Sequence, residues 1–171
     1  MVWNEILQGN YSKQTKDFVI EYLISNPHEI KNLFNYLTHK NQHIGNYAGW
    51  IISYLAEYNN KLIQPHISIL VKVFDTKDNN PALIRNTFRT LQFLNIPKQH
   101  EGLILSKGFE SLNNSNSAVA IKVFAMTVIY NLSLKYPEIQ PELKLSLENQ
   151  FEQQSAGFKS RALKILKRIK K

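Results

Sequence analysis

The sequence predicts an all-α fold, an α-α superhelix built from repeated helix pairs. Three observations predict it. One apolar pattern occurs four times, its copies are evenly spaced, and each copy follows a second amphipathic segment with its own start signal. The pattern sets apolar or small residues at i, i+4, i+8 and i+11. It reads Ile44, Ala48, Ile52, Leu55; Leu83, Thr87, Leu91, Leu94; Ile121, Ala125, Ile129, Leu132; and Phe158, Ala162, Leu166, Ile169. The starts lie 39, 38 and 37 residues apart. Those offsets fall within one narrow stripe of a 3.6-residue helix, so each copy reads as one helix with one buried face.

In chain order, Trp3, Ile6 and Leu7 form a short turn, and Phe18, Val19, Tyr22 and Leu23 form a helix. Residues 1–25 read as a half-repeat that covers the open end of the stack, because each repeat buries its face only against a neighbour. The first marked helix is preceded by the stripe Ile30, Leu33, Phe34, Leu37. Before that stripe Asn26 reads as a cap, Pro27 as the first helical position and Glu29 as a capping-box partner. The second pair opens with Ile67, Leu70, Val71, Phe74, and Asn80 with Pro81 repeats the capping device. The third opens with Leu103, Ile104, Phe109, Leu112 and the fourth with Leu143, Leu147, Phe151. Proline at 97, 137 and 141 and the polar runs DTKDNN (75–80) and NNSNS (113–117) supply the breaks. No strand pattern is present. The expected product is one domain over 1–171, nine or ten helices, with pairs over about 27–59, 64–95, 98–135 and 138–171. A two-helix repeat of this period is that of HEAT-type, armadillo-like solenoids, whose second helices line a concave side.

Composition narrows the function. A chain of 171 residues buries roughly 70% of its unfolded surface on folding, and an apolar content of 43% suits an ordinary core. With no cysteine, disulfides, thiolate zinc sites and cysteine nucleophiles are excluded. The start MVWNEILQGN has no basic region leading into an apolar core, and runs such as Trp50–Ile52 are far too short to span a bilayer. The chain reads as soluble and cytoplasmic, with no membrane contact. Its formal charge of +8 is local. Residues 1–157 hold 14 Lys and Arg against 13 Asp and Glu, whereas the last fourteen residues hold seven cations and no acid.

No residue pattern supplies a reaction. His39 and His43 have the i, i+4 spacing of helical zinc ligands, but the intervening residues read as a turn without an acidic ligand, so no metal is expected. Asp17 and Glu21 share a helix face, and Lys13 four residues before Asp17 makes them an ion-pair ladder. No phosphate loop and no serine nucleophile motif occur, and no cofactor is implied. The repeat register marks a binding face instead. Offsets 2, 6 and 10 lie about 200° from the buried stripe. There stand Trp50, Tyr54, Arg85, Arg89 and Phe93, aromatic and arginine side chains of the kind that anchor partners and stack on bases. A second candidate contact is the basic face of the last helix, Lys164, Lys167 and Arg168.

The segment PEIQPELKLSLENQFEQQSAGFKSRALKILKRI (137–169) resembles the end of a family of small bacterial HEAT-like proteins. The likeness is carried by Pro141, Glu142 and Leu143 and by the series Gln154, Ser155, Ala156, Phe158, Lys159, Arg161, Ala162, Ile165 and Leu166. AGWIISYLAE (48–57) is similar to that family's first full repeat, with Gly49 between its Ala and Trp. The resemblance implies a repeat fold. Members often carry the label adenylosuccinate lyase, which would imply that activity. Enzymes of that class use a Ser- and Met-containing glycine-rich loop, and Ser115 and Ser117 in NNSNS lack that setting. The leading reading is a non-enzymatic scaffold, monomer or weak dimer, that binds an unknown protein partner through its concave groove. The alternative is nucleic-acid binding, as in the HEAT-like glycosylases for alkylated DNA, although no acid occupies any of the groove positions to serve as their catalytic Asp.

Overall fold

A computed structural model describes residues 3–76 and 80–169. Its elements are α1 (Trp3–Gln8), α2 (Lys13–Ser25), α3 (Ile30–Phe34), α4 (Gln42–Tyr58), α5 (Asn60–Ile63), α6 (Ile67–Val71), α7 (Pro81–Leu91), α8 (Lys98–Asn113), α9 (Val119–Ser133), α10 (Gln140–Gln150) and α11 (Ala156–Ile169). Among the described residues there is no strand. A 3-10 turn at Gln64–His66, containing Pro65, joins α5 to α6 and makes them two pieces of one broken helix. Counted so, there are ten helices among the described residues, within the expected nine or ten. Of the expected breaks and cations, residues 77–79 and Lys170 and Lys171 lie outside the described residues. No described helix is long and apolar enough to cross a membrane.

The fourfold stripe is the buried face of α4, α7, α9 and α11, except that Leu94 stands in the turn after α7. All of its residues are buried except the last, Ile169, which is half-buried. Burying a large aliphatic side chain contributes about 1.5–3 kcal/mol, so this stripe is a dominant source of stability. The backbone contacts fall into two compact units, Met1–Ile96 and Pro97–Lys171.

In the first unit α4 is the central element. It packs on α7 and also meets α1, α2, α3 and α5. Four side-chain caps set helix starts, one of them Asn59 Oδ1, which accepts from the Lys61 amide at 3.2 Å to open α5. Ser12 Oγ accepts from the Thr15 amide (2.9 Å), Asn41 Oδ1 from the His43 amide (3.0 Å), and Asn80 Oδ1 from the Ala82 amide (3.2 Å). Asn26 departs from expectation. Its side-chain amide donates back to Tyr22 O at 3.0 Å and so closes the end of α2, while the 3-10 turn Pro27–Glu29 has no side-chain cap. Glu29 is correspondingly free to accept from the Trp3 indole at 3.1 Å and from Asn32 at 2.9 Å, which anchors α1. Phe18 lies in α2 as expected but is 60% exposed, and the buried face of α2 is Val19, Ile20 and Leu23. An end helix packs on one side only, which narrows its apolar stripe.

In the second unit α9 packs against both α8 and α11, and α10 fills the remaining side. Its core gathers Leu112 of α8, Met126, Ile129 and Tyr130 of α9, Leu143 and Leu147 of α10, and Phe158, Ala162, Ile165 and Leu166 of α11. Lys122, only 2% exposed, donates from Nζ to Gln150 Oε1 at 2.8 Å, and desolvation lowers its pKa.

Candidate functional site

The outward face of α4 carries Trp50 and Tyr54, one turn apart, and α7 beside it carries Arg85 and Arg89. The loop between α1 and α2 is tied across the start of α4 by three hydrogen bonds. Tyr11 donates to His43 O (3.2 Å), Tyr47 to Asn10 O (3.3 Å), and His43 Nε2 to Gly9 O (2.9 Å), the carbonyl requiring a proton on that nitrogen. Tyr11 thereby joins an aromatic cluster. Its ring centroid lies 4.4 Å from that of buried Tyr47 and 5.5 Å from that of Trp50, the latter edge-on. Trp50 in turn meets Tyr54 edge-on at 5.2 Å. These are the offset and T-shaped arrangements that ring quadrupoles favour. Burial pushes the Tyr11 phenol up, and the positive charge of Arg85 offsets part of that rise.

Tyr54 is the junction between rings and charges. The Arg89 guanidinium carbon stands 3.9 Å from its ring centroid and Lys16 Nζ stands 4.3 Å from it. Each cation also holds an acid, Arg89 with Glu57 at 2.9 Å and Lys16 with Asp17 at 2.9 Å. The expected partner of Asp17 was Lys13; the pair forms with Lys16, which the ring of Tyr54 holds in place. Arg85 is positioned by Asn86 Oδ1, at 3.4 Å from Nε and 3.3 Å from Nη2. Buried Asn86 donates to Asn46 O at 3.2 Å, and Asn46 Oδ1 accepts from Asn80 at 2.8 Å, so polar contacts lock α7 to α4 beneath Arg85. Next to Tyr54 an open cleft of about 540 Å³ has an apolar wall of Ile20, Ile24 and Tyr58 and a rim that includes Glu21 and Glu57.

The register-derived residues Trp50, Tyr54, Arg85 and Arg89 thus share the face formed by α4 and α7. Phe93 does not join their ring contacts. Helix α7 ends at Leu91, so Phe93 stands in the following turn, where its carbonyl accepts from Asn60 at 2.9 Å. Tyr11, Lys16 and Glu57 are the residues that sequence reasoning missed. Tyr11 and Lys16 come from a loop and an end helix outside the repeat, and Glu57 lies beyond the offsets that the register singled out.

Lys164, Lys167 and Arg168 are exposed on α11, and the Arg168 guanidinium carbon is 5.9 Å from the Tyr130 ring centroid. A further cluster that no motif announced joins α8 to the end of α9. Buried Glu101 accepts from Lys135 Nζ at 2.6 Å and from the Tyr136 hydroxyl at 2.7 Å. These bonds hold the Glu101 carboxyl below its usual range and raise Lys135. Among the described residues no three His, Asp or Glu side chains gather as a metal site would require.

Paired helices on a near-constant period, with a shared buried stripe, define an α-helical repeat protein. The HEAT repeat domain pattern matches residues 3–169, and the chain belongs to that family. No curated protein and no solved structure matches the chain.

Proposed function

We infer that this HEAT repeat protein is a non-enzymatic scaffold that binds a protein partner through the face of α4 and α7. One observation carries the reading: half-buried Tyr54 is held edge-on to Trp50 and against two cations, Arg89 and Lys16. Tyr, Trp and Arg are the residues that dominate protein interfaces, and they do so from well-packed settings. Rings and guanidinium groups already fixed by neighbours lose little freedom when a partner arrives, so more of the contact energy appears as affinity. The absence of cysteine suits a reducing, cytoplasmic setting for that encounter.

The test is affinity capture from the native cell with the full chain, with Trp50→Ala and with Arg89→Ala, each checked for an unchanged melting temperature. The same protein should be retained by the parent chain and lost from both variants. With that protein purified, each substitution should weaken binding by about 30-fold, the effect of removing an interface anchor of ~2 kcal/mol. A captured set identical for all three chains would sink this reading.

A further inference from the structure

The acids of the second unit are confined to one set of its helices. All six acids lie on α8, on α10 or in the 3-10 turns flanking α10: Glu101, Glu110, Glu138, Glu142, Glu148 and Glu152. Helices α9 and α11 contain none. The cations on the acidic side are largely neutralised, Lys135 by Glu101, Lys107 by Glu110 and Lys144 by Glu148. On α11, Lys159 pairs with Glu152 at 3.7 Å and Arg161 donates to Thr127 at 3.0 Å. Lys164, Lys167 and Arg168 remain exposed without an acid partner among the described residues. A cluster of like charges on a stably packed helix repels itself, and an anion relieves that repulsion.

We propose that the α11 face built on Lys164, Lys167 and Arg168 binds the phosphate backbone of nucleic acid, independently of sequence. Lys164 and Arg168 are one turn apart, about 6 Å along the axis, a span close to two charge repeats of 3.4 Å per strand. No aromatic ring stands exposed on α11 to stack on bases, so the contact reads charge and not sequence. A bilayer surface is disfavoured by packing. The apolar stripe Phe158, Ala162, Ile165, Leu166 is committed to the core, which leaves Leu163 as the one exposed large apolar side chain of α11. This site shares no residue with the α4 and α7 face, and neither reading rests on the other.

The experiment is fluorescence anisotropy of the full chain with labelled DNA duplex and labelled single strands of two unrelated sequences. Affinity near micromolar at 50 mM salt is expected for both sequences, falling by 200 mM salt about 40-fold on duplex and about 20-fold on single strands for three neutralised phosphates. The variant carrying Lys164→Glu, Lys167→Glu and Arg168→Glu should lose binding. The glutamine version at the same three positions should weaken it, and reversing Arg85 and Arg89 should leave it unchanged. Affinity no tighter than about millimolar at 50 mM salt overturns the proposal. Binding that survives the triple reversal, or that falls only with Arg85 and Arg89, also overturns it. So does tighter binding to phosphatidylserine vesicles or to polyglutamate than to DNA.

Discussion

Glu101 shows how one side chain can hold a repeat closed. Its carboxylate takes both the Lys135 ammonium and the Tyr136 hydroxyl, residues 34 and 35 positions away. Because the folded pKa of Glu101 is lowered, its contribution is present above the unfolded value and is lost as pH falls through the folded one. Lys135, with a raised pKa, keeps its contribution until pH climbs through its own folded value. The cluster is therefore intact across neutral pH. Glu101→Gln should lower the melting temperature clearly at pH 7, and its difference from the parent should shrink as pH falls through the folded pKa of Glu101. A difference that stays the same at every acidic pH down to full protonation would show that the charge contributes nothing. Sequence alone could not pair these residues, since 34 positions separate them and neither belongs to the repeated stripe. Trp50 and Tyr54 were legible for the opposite reason: both follow from the register of one long helix.

At the scale of the element, the period of the pattern predicted the helices well and their contacts less well. Stripe residues at i, i+4, i+8 and i+11 identified the buried face because burial recurs with the helical turn. Close approach between helices has no such period. Gly45 lies where α4 passes the end of α3, and a Cβ there would stand 2.7 Å from Leu37 O and 3.3 Å from Tyr36 O. Gly108 meets Ile129 similarly, at 2.9 Å, through the side chain of a fully buried residue. Gly45→Ala gains about 1 kcal/mol of helix propensity, and forcing backbone apart costs about 1–3 kcal/mol. The net result should be a lower midpoint in chemical denaturation for Gly45→Ala, with Gly102→Ala, whose Cβ meets open space, moving the other way. A stabilised Gly45→Ala would mean that α3 yields freely. Asn26 was misjudged as a cap for a related cause, because a one-residue turn does not share the environment of an internal repeat.

Over the whole molecule, charge and packing meet in the last helix. The sequence already placed the net positive charge in the final fourteen residues, since that needs only counting along the chain. What counting could not show is that α11 has two faces with different duties. Ile165 and Leu166 are buried between exposed Lys164 and exposed Lys167, so the cations cannot be removed by truncation without removing core. Ending the chain at Leu163 should cost more than about 3 kcal/mol from those two side chains alone, and should uncover Leu143 and Leu147, which now pack in the same cluster. Reversing the charges at 164, 167 and 168 leaves that cluster untouched. Thermal melts followed by circular dichroism should separate the two, with a large drop for the truncated chain and a midpoint within a few degrees of the parent for the charge-reversed one. If both fall together, the exposed face of α11 is itself structural, and its cations serve the fold before any partner.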